Sequence, residues 1–157
     1  MRGHELAMAL RVAYLAMHRR TDAVLEQSGV TADQFVVLAA LAEGDALSQR
    51  ELVVRTSSDP NTLRAMLVLL ERRRLIERRP HPTDCRARSV SLTRKGRSQF
   101  RQLWRKSEAL RQRLVASLSP RQEELLIGQL RRIVTTLSAD RAGSSGSSRR
   151  NPAGAAG

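Results

Sequence analysis

Apolar residues recur three and four positions apart in six stretches of the chain, and this spacing predicts helices at about 4–27, 32–43, 49–55, 60–74, 94–117 and 120–138. The starts are marked by residues whose side chains can accept from the orphan N–H groups of a first helical turn. Thr31 with Gln34, Ser48 with Glu51 and Ser119 with Gln122 have capping-box spacing. Asp59 before Pro60, and Thr93, mark two further starts. Val30 with Phe35 and Leu47 with Leu52 stand where hydrophobic staples would form, and Gly29 and Gly44 where left-handed C-terminal caps would.

The period changes between the fourth and fifth helices. Residues 76–79 and 88–92 alternate, with Val90 and Leu92 on one face and Ser89 and Ser91 on the other, around a Pro80-His81-Pro82 turn. This predicts a two-stranded hairpin. From Arg141 onward apolar periodicity ceases, and residues 141–157 are expected to form a disordered tail.

Two short helices joined by Thr56, Ser57 and Ser58, the second leading into a basic hairpin, make the pattern of a winged helix-turn-helix. The expected fold class is therefore mainly α. A DNA-binding lobe at 31–96, with its wing at 76–92, stands between an N-terminal dimerisation helix at 1–30 and C-terminal dimerisation helices at 97–140. The dimer is argued from two apolar stripes, Leu6, Leu10, Ala13 and Met17 near one end and Leu126, Leu130, Ile133 and Leu137 near the other. Both lie outside the helix-turn-helix core and are most economically buried against each other and a two-fold mate. A monomer that packs these helices internally is the alternative.

Charge narrows the partner. Lys plus Arg total 28 against 15 Asp plus Glu, net +13, and 26 of the cations are Arg. Residues 64–113 hold 14 Arg and 2 Lys against four acids, so +12 of the excess lies in the recognition helix, the wing and the helix after it. That is a directed polyanion-binding surface, and double-stranded DNA is the expected partner. The share in the fifth predicted helix exceeds what base reading needs, and predicts steering or backbone contacts beyond the operator core. Four aromatics are too few for a base-stacking platform.

One cysteine and three scattered histidines argue against a disulfide framework or a zinc site, and no metal or cofactor is called for. The longest apolar run, Phe35–Ala42, is far short of the roughly 18 residues needed to span a bilayer. Glu5 and Arg11 break the uniform apolar region that a secretory signal needs. The expectation is a cytoplasmic protein with no membrane partner. No nucleophile, base or metal-ligand spacing suggests an enzyme.

On a wheel of 100° per residue, Leu63, Leu67 and Leu70 share the inner face of the fourth helix. Asn61, Arg64, Ala65, Val68 and Arg72 share the outer one. Asn suits adenine and Arg suits guanine in the major groove, and Thr62 can reach a phosphate or a thymine methyl. The bland alternative is a solvated exterior, but a capped helix placed second in such a pair favours the groove. The wing adds Arg78, Arg79, Arg86 and Arg88 for the phosphate backbone and minor groove, with Asp84 expected to brace the loop.

The run from Thr31 to Gly96 resembles the bacterial MarR-type transcriptional regulators. It carries T-x-x-Q-F-x-V-L-x-x-L, S-x-x-E-L, D-P-N-T-L, L-E-x-x-x-L-I-x-R, the wing D-x-R and V-x-L-T-x-x-G. The resemblance implies a homodimer on a pseudo-palindromic operator, with Asn61, Thr62 and Arg64 as recognition contacts and Arg86 as wing-tip arginine supported by Asp84. Departures are Arg74 where the family usually has Gly, Arg64 and Ala65 where Ser or Thr and Arg are common, and apolar Val68 and Leu69.

The resemblance also implies a small aromatic or anionic effector between the dimerisation helices and the DNA-binding lobe. Tyr14, His18, Phe35 and Trp104 are the residues available to line its pocket, or else they are ordinary core and rim aromatics. Cys85, between Asp84 and Arg86, is either a redox-sensing thiol or a replaced loop residue. The reading is a repressor released by such an effector; the competing one is a non-specific architectural DNA-binding protein, for which charge alone suffices.

Overall fold

The computed structural model describes residues 2–80, 83 and 88–144, with only the backbone described for Arg2 and 139–144. The order is α1 (Arg2–Leu25), a 3-10 turn (Glu26–Ser28), α2 (Ala32–Glu43), β1 (Leu47–Ser48), α3 (Gln49–Thr56), α4 (Pro60–Arg72), β2 (Ile76–Pro80), β3 (Arg88–Leu92), α5 (Arg94–Lys106), α6 (Glu108–Val115) and α7 (Pro120–Ser144). This is the mainly α, winged helix-turn-helix class expected. The chain forms two compact units, 1–114 and 115–157.

Local capping rules account for the helix starts. Thr31 Oγ1 accepts from Gln34 N (3.1 Å) while Gln34 Oε1 accepts from Thr31 N (3.3 Å). Ser48 with Glu51, and Ser119 with Gln122, repeat the reciprocal pair. Asp59 accepts from the N–H groups of Asn61 (2.9 Å) and Thr62 (3.0 Å), fixing the first turn of α4.

Five expectations are corrected. The first helix ends at Leu25, and its last turn tightens to a 3-10 form closed by Gly29 at φ 62°. Gly44 is extended (φ −130°) rather than left-handed. A Cβ there would lie 2.9 Å from the exposed Arg55 guanidinium, which can swing aside, and 3.1 Å from Leu47 Cδ2, a tight contact. The hairpin gains a third strand, because Leu47 and Ser48 pair antiparallel with Val90 and Ser89 to give the order β1-β3-β2.

The long fifth helix is interrupted at Ser107, whose hydroxyl bonds the carbonyls of Leu103 (3.0 Å) and Trp104 (3.1 Å). Side-chain competition of this kind loosens the regular ladder. Finally, α7 runs past 138 to Ser144, so 141–144 are helical and the rest of the expected tail lies outside the described residues.

One hydrophobic core unites the DNA-binding lobe. Leu25, Val37, Leu38, Leu41, Leu52, Leu63, Leu67, Leu70, Ile76 and Val90 are essentially closed to solvent. The inner-face leucines of α4 thereby anchor the helix whose other side is exposed.

The joint between α4 and β2 is a Schellman motif, with Arg74 N donating to Glu71 O (2.8 Å) and Leu75 N to Leu70 O (3.0 Å). It forces Arg74 to φ 59°, the left-handed region that L residues other than glycine enter at a cost. Arg74→Gly is therefore expected to stabilise the protein by about 1 kcal/mol, visible as a rise of a few degrees in Tm. An unchanged or lower Tm would contradict that reading of the joint.

Candidate nucleic-acid interface

The exposed side of α4 carries Asn61, Thr62, Arg64, Ala65, Leu69 and Arg72, with Val68 half-buried beside them. Leu63, Met66, Leu67 and Leu70 are buried opposite. The helix is held at its first turn by Asp59 and Pro60, so Asn61 and Arg64 leave a rigid platform. Thr62 is partly used internally, its hydroxyl lying 3.4 Å from Asp59 Oδ1.

The C-terminal end of α4 is fixed by contacts that sequence reasoning missed. Arg73 donates to the carbonyl oxygens of Gly29 and of Ser28 (3.0 Å), at the junction between α1 and α2. Lys106 of α5 reaches the Ser28 hydroxyl at 2.9 Å, and Lys95 reaches the Arg73 carbonyl at 2.9 Å. Two cations thus hold the carbonyl-rich end of the 3-10 turn against α4 and α5, where a helix C-terminus favours positive charge. Three arginines in a row at 72–74 read alike in sequence, but only Arg73 makes this tie.

The wing residues divide. Arg78 pairs with Glu71 of α4 at 3.0 Å and its side chain is only 19% exposed, so it braces the wing against the recognition helix. Arg79 pairs with Glu77 at 3.1 Å near the surface, where such pairs exchange easily for other anions. Arg88 is exposed at the outer end of β3, opposite Pro80. Asp84, Cys85 and Arg86 lie outside the described residues.

Of the four aromatic positions proposed for a pocket, Tyr14, His18 and Phe35 line one cavity of about 600 Å3 together with Met17, Leu110 and Arg111. Trp104 does not line it. Its ring lies under the Arg111 guanidinium at 3.7 Å and packs in a cluster with Phe35 and Phe100. His18 stands between the carboxylates of Asp22 (3.3 Å) and Asp33 (3.2 Å), and Asp22 also accepts from Ala32 N at 2.6 Å. The cavity wall therefore doubles as the tie between α1 and the start of α2.

Among the described residues no cluster of three metal-ligating side chains occurs, and no helix is long and apolar enough to cross a membrane.

A capped recognition helix with a basic exterior, followed by the β2–β3 hairpin of a three-stranded sheet, defines a winged helix-turn-helix protein. Comparison with known proteins agrees. The MarR family pattern matches residues 28–87. The chain is 36% identical over 91 residues to the HTH-type transcriptional repressor NicR of Pseudomonas putida, a match covering 55% of each chain. It thus spans little more than half of that relative's length.

Among solved structures, Bordetella bronchiseptica BpsR, described for regulation of its DNA binding by 6-hydroxynicotinic acid, is 30% identical with a TM-score of 0.73. That match covers 82% of this chain and 91% of BpsR. A mutant MarR from E. coli complexed with operator DNA is 26% identical with a TM-score of 0.74, covering 82% and 93%. Residues 28–87 thus form a domain of the MarR family.

Proposed function

We propose that this protein is a sequence-specific transcriptional repressor of the cytoplasm that binds a pseudo-palindromic operator in double-stranded DNA as a homodimer. The observation that carries the reading is the outer face of α4, where Asn61 and Arg64 stand exposed on a first turn locked by Asp59. Asn and Arg at the N-terminal end of a groove-entering helix are suited to base edges. Arg72 is placed for the backbone on the same face, with Arg79, Arg88 and Arg86 acting from the wing. Arg78 supports the wing through Glu71, and Asp84 is proposed to brace the loop that carries Arg86.

The dimer is supported by apolar surface exposed at both ends of the chain, Leu6, Val12 and Tyr14 on α1 and Leu125, Val134 and Leu137 on α7. Exposed apolar area on this scale marks an interaction surface.

Release by a small aromatic or anionic effector is supported by the cavity bordered by Tyr14, His18, Phe35 and Arg111, which offers an apolar wall with a cation at its edge. BpsR, whose DNA binding responds to an aromatic acid, points the same way. The mechanism is a population shift, in which the ligand favours a spacing of the two recognition helices that does not match about 10 base pairs.

Titration against random and selected DNA at several salt concentrations tests the reading. A regulator of this kind keeps roughly a thousandfold preference for its operator. A uniform affinity would instead identify an architectural DNA-binding protein. Within the specific complex, Arg86→Ala is expected to weaken binding and to lower the salt slope by about one ion equivalent. An unchanged slope would remove the wing tip from the phosphate contacts.

A further inference from the structure

Helix α5 carries six cations, Arg94, Lys95, Arg97, Arg101, Arg105 and Lys106, and no acid in 13 residues. Three of them are engaged within the chain: Lys95 with the Arg73 carbonyl, Lys106 with Ser28, and Arg97 with Asp45 at 3.3 Å. Arg94, Arg101 and Arg105 are exposed and, among the described residues, have no hydrogen-bond or ion-pair partner. Glu43 lines the same shallow cleft as Arg101 and Arg105 but forms no ion pair with them.

These three are not scattered. At 100° per residue they fall within about 40° of arc, on the side of the helix opposite the buried Gly96 and Leu103. With a rise of 1.5 Å per residue the row is about 16 Å long. Its members repel one another, and Arg94 sits in the first turn, where the helix macrodipole already disfavours a cation. Among the described residues no carboxylate pairs with any of the three. A straight row of guanidinium forks suits a rod-like polyanion better than a compact ligand, because each fork matches a phosphate and the row is as long as the axial rise of about five base pairs of duplex.

Resting on the proposal that the protein binds DNA, we infer that the Arg94, Arg101 and Arg105 row binds the phosphate backbone of duplex DNA outside the operator core. It lengthens the footprint without reading bases, and it raises affinity where the core lies in longer DNA.

The test uses the full chain and two duplexes, a selected operator of roughly 20 base pairs and the same site centred in roughly 60, each titrated across a salt series. For the triple variant R94Q/R101Q/R105Q, affinity for the short duplex should stay within about twofold of the parent, while the long duplex loses up to about three ion equivalents of salt slope. The variant R94K/R101K/R105K should retain most of that slope, and both variants should keep the parent melting temperature because the row is exposed. Equal losses on both duplexes would overturn the inference in favour of bulk charge. No loss on either would overturn it in favour of a solvated row or a non-DNA partner. Failure of the parent protein to bind the short duplex would instead count against the operator-binding reading.

Discussion

Gly96→Ala is expected to destabilise the protein by about 3 kcal/mol or more. A Cβ at Gly96 would lie 1.9 Å from the carbonyl oxygen and 2.8 Å from the carbonyl carbon of Leu75. Backbone cannot yield as a flexible side chain can. The Leu75 carbonyl also accepts from Thr93 N (3.1 Å) and faces Thr93 Oγ1 (3.2 Å), and the Leu75 N–H closes the Schellman motif at the end of α4. Any movement that admits the methyl therefore shifts the recognition helix, the base of the wing and the start of α5 together. Thermal unfolding should show a loss of roughly 10 °C in Tm. A change within about 0.5 kcal/mol, the range of ordinary surface substitutions, would contradict the close approach.

The second large effect falls on recognition. Arg64→Ala and Asn61→Ala are each expected to cost about 1 to 3 kcal/mol of operator affinity, concentrated at particular base pairs. Both side chains are exposed and neither supports the core, so Tm should hardly change. The way the loss is distributed is decisive. Selection from a randomised operator should return relaxed preference at one or two positions per half-site for each variant. Uniform weakening across all sequences would mean that these residues touch only phosphate.

Much of the fold was legible because its signals are local. A capping box needs only three residues of separation, so Thr31 with Gln34 and Ser48 with Glu51 declare helix starts directly. The spacing of Leu63, Leu67 and Leu70 likewise fixes which side of α4 faces inward, and that alone exposes Asn61 and Arg64. What remained hidden depends on partners far along the chain. The tie from Arg73 to Gly29 spans 44 residues, and neither Arg72 nor Arg74 differs from it in type. The two-residue strand at Leu47 and Ser48 exists only because Val90 and Ser89 come to meet it.

A glycine does not by itself mark a left-handed cap. Gly44 is extended, whereas the left-handed turn at the end of α4 is taken by an arginine. Among the site residues, Arg78 reads as a wing cation like Arg79, and its pairing with Glu71 of α4 shows only in the fold. Trp104 shares the residue type of a pocket wall with Tyr14, His18 and Phe35, yet its ring lies under Arg111 and only the other three line the cavity.

Under the proposed function, two copies of α4 are expected to read an inverted repeat. Binding-site selection with the full-length protein and random duplex DNA, followed by footprinting of the enriched sequence, tests it most directly. The expected product is an imperfect palindrome whose half-sites are centred about 10 base pairs apart, protected as one unit by two chains. Recovery of no enriched sequence, or of a single half-site bound by one chain, would contradict it.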